Sequence, residues 1–71
     1  MATFNGHKNW NHWNVALWIN NDQGLYDLAW EATRRYSRDE AARRILDALP
    51  PATPDGAPYT FTSVRAALRG F

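Results

Sequence analysis

The chain has 71 residues, 8 Lys and Arg against 7 Asp and Glu for a net charge of +1, 45% hydrophobic and 21% charged residues, and no Cys. That balance is one of a single small globular domain, too short for a two-domain enzyme or a doubly wound sheet, and near the size at which a core needs help from a partner. The missing cysteines exclude disulfide staples, thiol catalysis and cysteine zinc ribbons; with no membrane-length apolar run and no signal-like stretch in residues 1–8, a cytoplasmic protein that does not enter a membrane is expected.

Residues 1–8 show no period and include Gly6, which predicts an irregular arm. From Trp10 the spacing of Trp10, Trp13 and Leu17, with Asn14 beside them, fits one face of a helix near residues 10–20. Val15 and Ile19 project to the opposite side, so this helix is apolar on nearly two faces and one of them is surplus to a core. A strand over Trp13 to Ile19 is the competing reading, because the run is short and rich in aromatic and β-branched residues. Asp22 follows two Asn and is placed to cap a second helix over 23–36. Leu25, Leu28, Ala29, Ala32 and Tyr36 form its stripe, with Trp30 off it. Its charges run acidic to basic, as the helix dipole favours, and Glu31 sits four residues before Arg35.

Ser37-Arg38-Asp39-Glu40 has the spacing of a capping box and opens a third helix over 38–49, with Ala41, Ala42, Ile45, Leu46 and Leu49 on its apolar face. Pro50-Pro51 ends it, and residues 50–59 carry the turn chemistry of Pro, Asp and Gly. Thr60 or Thr62 can cap a short last helix near 61–69, lined by Phe61, Val64 and Leu68 and stopped by Gly70. The expectation is one all-α domain over residues 1–71: a compact bundle of three main helices plus a short C-terminal one. Its core is expected to hold Trp13, Leu17, Leu25, Leu28, Ala32, Ile45, Leu46, Leu49, Val64 and Leu68.

Charge and polarity are unevenly distributed. Residues 1–33 hold Lys8 against Asp22, Asp27 and Glu31, whereas residues 34–71 hold all seven Arg against four acids. The Asn cluster the other way, interleaved with Trp10, Trp13 and Trp18. Four Trp are a heavy load for so short a chain, and Trp and Arg are the residues most enriched where proteins bind one another. His7 and His12 are five apart and share no helical face as zinc ligands would. No paired carboxylates, phosphate loop or nucleophile elbow is present, so no enzyme activity, metal or cofactor is expected.

Two sets of residues remain as candidate surfaces. Trp10, Asn14, Trp18 and Trp30, with Arg34, Arg35 and Arg38 at the joint between the second and third helices, suit a protein partner. Arg43, Arg44, Thr62, Ser63, Arg65 and Arg69 suit nucleic acid, since Tyr59 to Arg65 resembles the second helix of a helix-turn-helix. Against that reading, the ten-residue connector is long for the motif and the low net charge fits a solvated face equally well.

The run from Asn11 to Asp22, Asn-His-Trp-Asn-Val-Ala-Leu-Trp-Ile-Asn-Asn-Asp, preceded by Gly6 to Trp10 and followed by Gly24-Leu25-Tyr26, resembles a family of short uncharacterised proteins from bacteriophages and other mobile elements. Thr53 to Ala57 and Val64 to Leu68 are similar to the same family's tail. The resemblance implies a genomic setting and no transferable activity. In that setting a small cytoplasmic protein of this kind is expected to be a non-enzymatic binder that occludes a host protein or ribonucleoprotein, as an anti-defence inhibitor of the anti-CRISPR type does. The alternatives are a small helix-turn-helix-like nucleic-acid binder and a homodimer built on the surplus face of the first helix.

Overall fold

The structure is a computed structural model and describes residues 6–71; the first five residues of the expected arm lie outside them. Helix α1 spans Trp10–Asn21, α2 Gln23–Arg35, α3 Arg38–Ala48 and α4 Phe61–Ala67. Three main helices and a short fourth therefore form as expected. Among the described residues no strand forms over Trp13 to Ile19. Nor is any helix there long and apolar enough to cross a membrane.

The joints are set by capping side chains. The Asn9 amide oxygen accepts the His12 N–H at 3.0 Å and opens α1. Asp22 alone separates α1 from α2: its N–H donates to the Trp18 carbonyl at 2.9 Å, while its carboxylate accepts the Leu25 N–H at 3.0 Å. A single linking residue turns the chain sharply and lays α2 against α1. Ser37 caps α3 by accepting the Glu40 N–H at 3.3 Å. Only this half of the box forms, because the Glu40 carboxylate points forward to Arg44, 3.2 Å away. The reciprocal box lies at α4, where Thr60 Oγ1 accepts the Ser63 N–H at 3.1 Å and Ser63 Oγ accepts the Thr60 N–H at 2.9 Å. Helix α4 ends two residues earlier than its periodicity suggests, with Gly70 in the left-handed region at φ +94° supplying the stop.

A seven-residue helix is not stable by itself. Helix α4 is held because it packs against both α1 and α3, closing a ring in which each helix touches its neighbours in sequence and the last touches the first. Arg65 on α4 pairs with Asp39 at the start of α3, and the Arg43 guanidinium lies 5.3 Å from the Phe61 ring, so these two helices run antiparallel.

The core differs from the expected one on α1 and α2. Val15, Ala16 and Ile19 are buried on α1, Trp13 is half-buried, and Leu17 is 37% exposed. The surplus face of this two-faced helix is thus the Trp10, Trp13 and Leu17 side. The compact Val15 and Ile19 fit the close approach of α4 better than an indole does. On α2 the buried residues are Ala29 and Ala32, facing a third helix that buries Ala41 and Ala42. Small side chains line both partners, so the longer Leu28 is turned out to 38% exposure and Leu25 is half-buried. Ile45, Val64 and Leu68 are buried as expected, with Leu46 and Leu49 packed partly buried beside them. The 49–60 connector adds Ala57 and Tyr59 to the core.

Candidate functional site

Helix α1 and the connector are joined by a polar clamp. Thr53 to Gly56 makes a tight turn, with the Gly56 N–H donating to the Thr53 carbonyl at 2.9 Å, and Gly56 at φ +92° lets the chain return. Asp55 on this turn accepts from Asn14 Nδ2 at 2.8 Å and from Trp18 Nε1 at 2.9 Å, both on the same carboxylate oxygen. Thr53 Oγ1 donates to Asn14 Oδ1 at 2.6 Å and accepts the Ala57 N–H at 3.1 Å. Asn11 Nδ2 reaches the Pro58 carbonyl at 3.1 Å. Every buried side-chain nitrogen and oxygen among the described residues has a partner. The donated hydrogen bonds, from Asn14 first and then Trp18, hold the Asp55 carboxyl below its ordinary range.

This clamp corrects two expected contacts. Asn14, only 1% exposed, is an internal strut, and the polar edge of Trp18 faces Asp55, so neither presents its hydrogen-bonding groups to a partner. Trp10 stays 40% exposed, about 15 Å of helix away from the Asn20 end of α1.

The remaining residues of the protein-partner set converge on the outer side of α2 and the chain's last turn. Tyr26, Trp30 and Arg34 recur every fourth residue and share one stripe. The Arg34 guanidinium lies 4.3 Å from the Trp30 ring centroid, and both of its terminal nitrogens donate to the Phe71 carbonyl at 3.3 Å. Tyr26 packs against the Phe71 ring at 5.2 Å between centroids. Arg38 borders the other side of Phe71, across a shallow depression shared with Thr33 and Leu68. Arg35 is paired to Glu31 at 3.1 Å on the exposed side of the stripe. Trp30 is the most exposed large apolar residue described, at 48%. One face of its ring is covered by the Arg34 guanidinium, which also bonds main chain at Phe71.

The nucleic-acid set does not converge in the same way. Arg43 lies over Phe61 and Arg44 over Tyr36, its guanidinium 4.1 Å from the ring, while Ser63 is fully buried inside its cap. Thr62, Arg65 and Arg69 do lie together, along one wall of a depression between α4 and the start of α1. A twelve-residue stretch, 49–60, separates α3 from α4, and the two helices pack antiparallel, which is not the geometry of a helix-turn-helix.

Sequence reasoning overlooked Tyr26, Phe71, Thr53 and Asp55. The Tyr26, Trp30, Arg34 period was visible as a stripe, whereas Phe71 and Asp55 sit in aperiodic segments and meet their partners only through tertiary packing. The described residues hold no group of three or more His, Cys, Asp or Glu placed to bind a metal.

Fold and surface together define a small all-α module that presents a supported aromatic and arginine stripe. The chain belongs to a family of unknown function (DUF7249), whose model matches residues 1–66. No curated protein and no solved structure matches it.

Proposed function

We propose that this is a non-enzymatic binding protein of bacteriophage or mobile-element origin, which acts in the cytoplasm of a host cell by occluding a host protein, free or within a ribonucleoprotein. An inhibitor of host defence, in the manner of anti-CRISPR proteins, is the form of this activity that its size and setting favour. The observation that carries the reading is the exposed Trp30 ring braced by Arg34 and Phe71. A large aromatic surface that is already immobilised loses little side-chain entropy on docking, and Trp, Tyr and Arg are the residues through which small interfaces gain most of their affinity. Arg34, Arg35 and Arg38 around this stripe outnumber Asp27 and Glu31, so the complementary partner surface is an apolar pocket rimmed by carboxylates.

The test is a tagged pull-down from host lysate, with and without nuclease, comparing wild type with Trp30→Ala and with Arg34→Glu/Arg35→Glu. All three sites are exposed, so helicity by circular dichroism should be unchanged. A stoichiometric protein partner that survives nuclease and moderate salt and is lost in both variants supports the proposal. Capture that is unaffected by the substitutions, or that yields only nuclease-sensitive material, contradicts it.

A further inference from the structure

A groove of about 710 Å³ runs along α1 from His12 to Asn20, between that helix with residues 6–8 on one side and helix α4 on the other. Its charged and titratable lining is Lys8, Arg65, Arg69, His7 and His12, joined by the Thr62 hydroxyl, and no Asp or Glu lines it. The near-neutral total therefore conceals a strongly one-signed concavity, since all seven acids lie elsewhere. We propose that this groove binds the phosphodiester backbone of a nucleic-acid strand.

Three physical features support that ligand. First, the placement is electrostatically unfavourable for the free protein. The first turn of α1 has no acidic residue, and His7, Lys8 and His12 crowd the end of the helix where the dipole is already positive. Partial burial, with Lys8 and His7 adding to it, holds the His12 pKa below its ordinary value. Second, among the described residues Arg65 is the one of the three cations with an acidic partner, the exposed Asp39 beside the groove, which leaves Lys8 and Arg69 to meet phosphates. Third, among the described residues the lining supplies donors and no Trp, Tyr or Phe ring. Guanidinium, ammonium, imidazole and hydroxyl groups suit phosphate oxygens, and with no indole, phenol or phenyl platform among them the contact is chiefly with backbone. This mode differs from a recognition helix reading a major groove, and it draws in the N-terminal residues His7, Lys8 and His12. The groove adjoins the Trp30 surface at Arg69, which also borders Trp30 and Arg34, but none of Trp30, Arg34 and Arg35 lines it.

The experiment is fluorescence anisotropy of the full chain with labelled oligodeoxythymidylate, and with a duplex of the same length to distinguish the two sources of backbone, across about 20 to 200 mM salt. Wild type is compared with Lys8→Glu/Arg69→Glu and with a control of equal charge change away from the groove, Arg43→Glu/Arg44→Glu on α3. Wild type should bind with an affinity that falls with salt at a log–log slope near −1.4 for a single strand, about −0.7 for each of the two phosphates met by Lys8 and Arg69. The groove variant should lose roughly tenfold or more and show a shallower slope, while the control stays within about twofold of wild type. No binding of either oligonucleotide at the lowest salt, wild-type affinity in the groove variant, or equal weakening in the control would each overturn the proposal.

Discussion

Asn14 is the side chain on which most of the connector depends. Its amide donates to Asp55 and accepts from Thr53, so Asn14→Ala breaks both bonds at once and leaves the buried Thr53 hydroxyl without its acceptor. A buried polar group stripped of a partner costs about 1–3 kcal/mol. In a domain of this size each kcal/mol lowers the melting temperature by about 4–8 °C, so a drop of that order or more is expected by circular dichroism. Asp55 adds a pH dependence with a definite sign. Its folded pKa lies below the ordinary value, so its contribution is fully present above the ordinary carboxylate range and is lost as pH falls through the folded value. Asp39, held down chiefly by its hydrogen bond from Arg65, acts in the same direction. The melting temperature should therefore fall on acidification from pH 7 to about pH 3. Asp55→Asn should melt lower at neutral pH and lose less on acidification; an undiminished acid response would remove Asp55 from the clamp.

At the scale of the elements, the α2–α3 contact is built from alanines. Ala41 is fully buried on α3, which packs against α2, whose own buried residues are Ala29 and Ala32. Ala41→Leu forces extra volume into this contact and is expected to cost about 1–3 kcal/mol. Leu28→Ala, on the exposed side, should fall within about 0.5 kcal/mol of wild type. Urea melts of the two variants check the pair, and reversed magnitudes would contradict the assigned faces. Those faces also mark how far the sequence could be read. The helices were legible because capping residues and prolines fix their ends locally, as at Asp22, Ser37 and Pro50. The buried face of α1 was not, because Trp10, Trp13 and Leu17 are as apolar as Val15 and Ile19. Which side turns inward depends on the shape of α4 arriving from elsewhere in the chain. Likewise the Trp30 and Arg34 stripe could be read from helical spacing, but its brace by Phe71 could not, since it joins residues 37 apart.

The whole molecule exposes 4546 Å², and a folded monomer of 8.1 kDa is expected to expose about 4500 Å². The ring of helices is thus as compact as a folded chain of this mass, and sedimentation equilibrium should return a monomer unless the outward Trp10, Trp13 and Leu17 side pairs two copies. A concentration-independent dimer would favour the homodimeric alternative, with the outward Trp10, Trp13 and Leu17 side as its contact. The central claim is that a partner protein docks on the braced Trp30 stripe. It is tested most directly by placing a photo-crosslinking benzoylphenylalanine at Asp27, which borders Trp30, and separately at the exposed Asp47 on α3, then irradiating host cells that express each chain. One discrete adduct with a host protein is expected from position 27, lost when Trp30→Ala is added, and none from position 47. Equal adducts from both positions, or an adduct at 27 indifferent to Trp30→Ala, would contradict that claim.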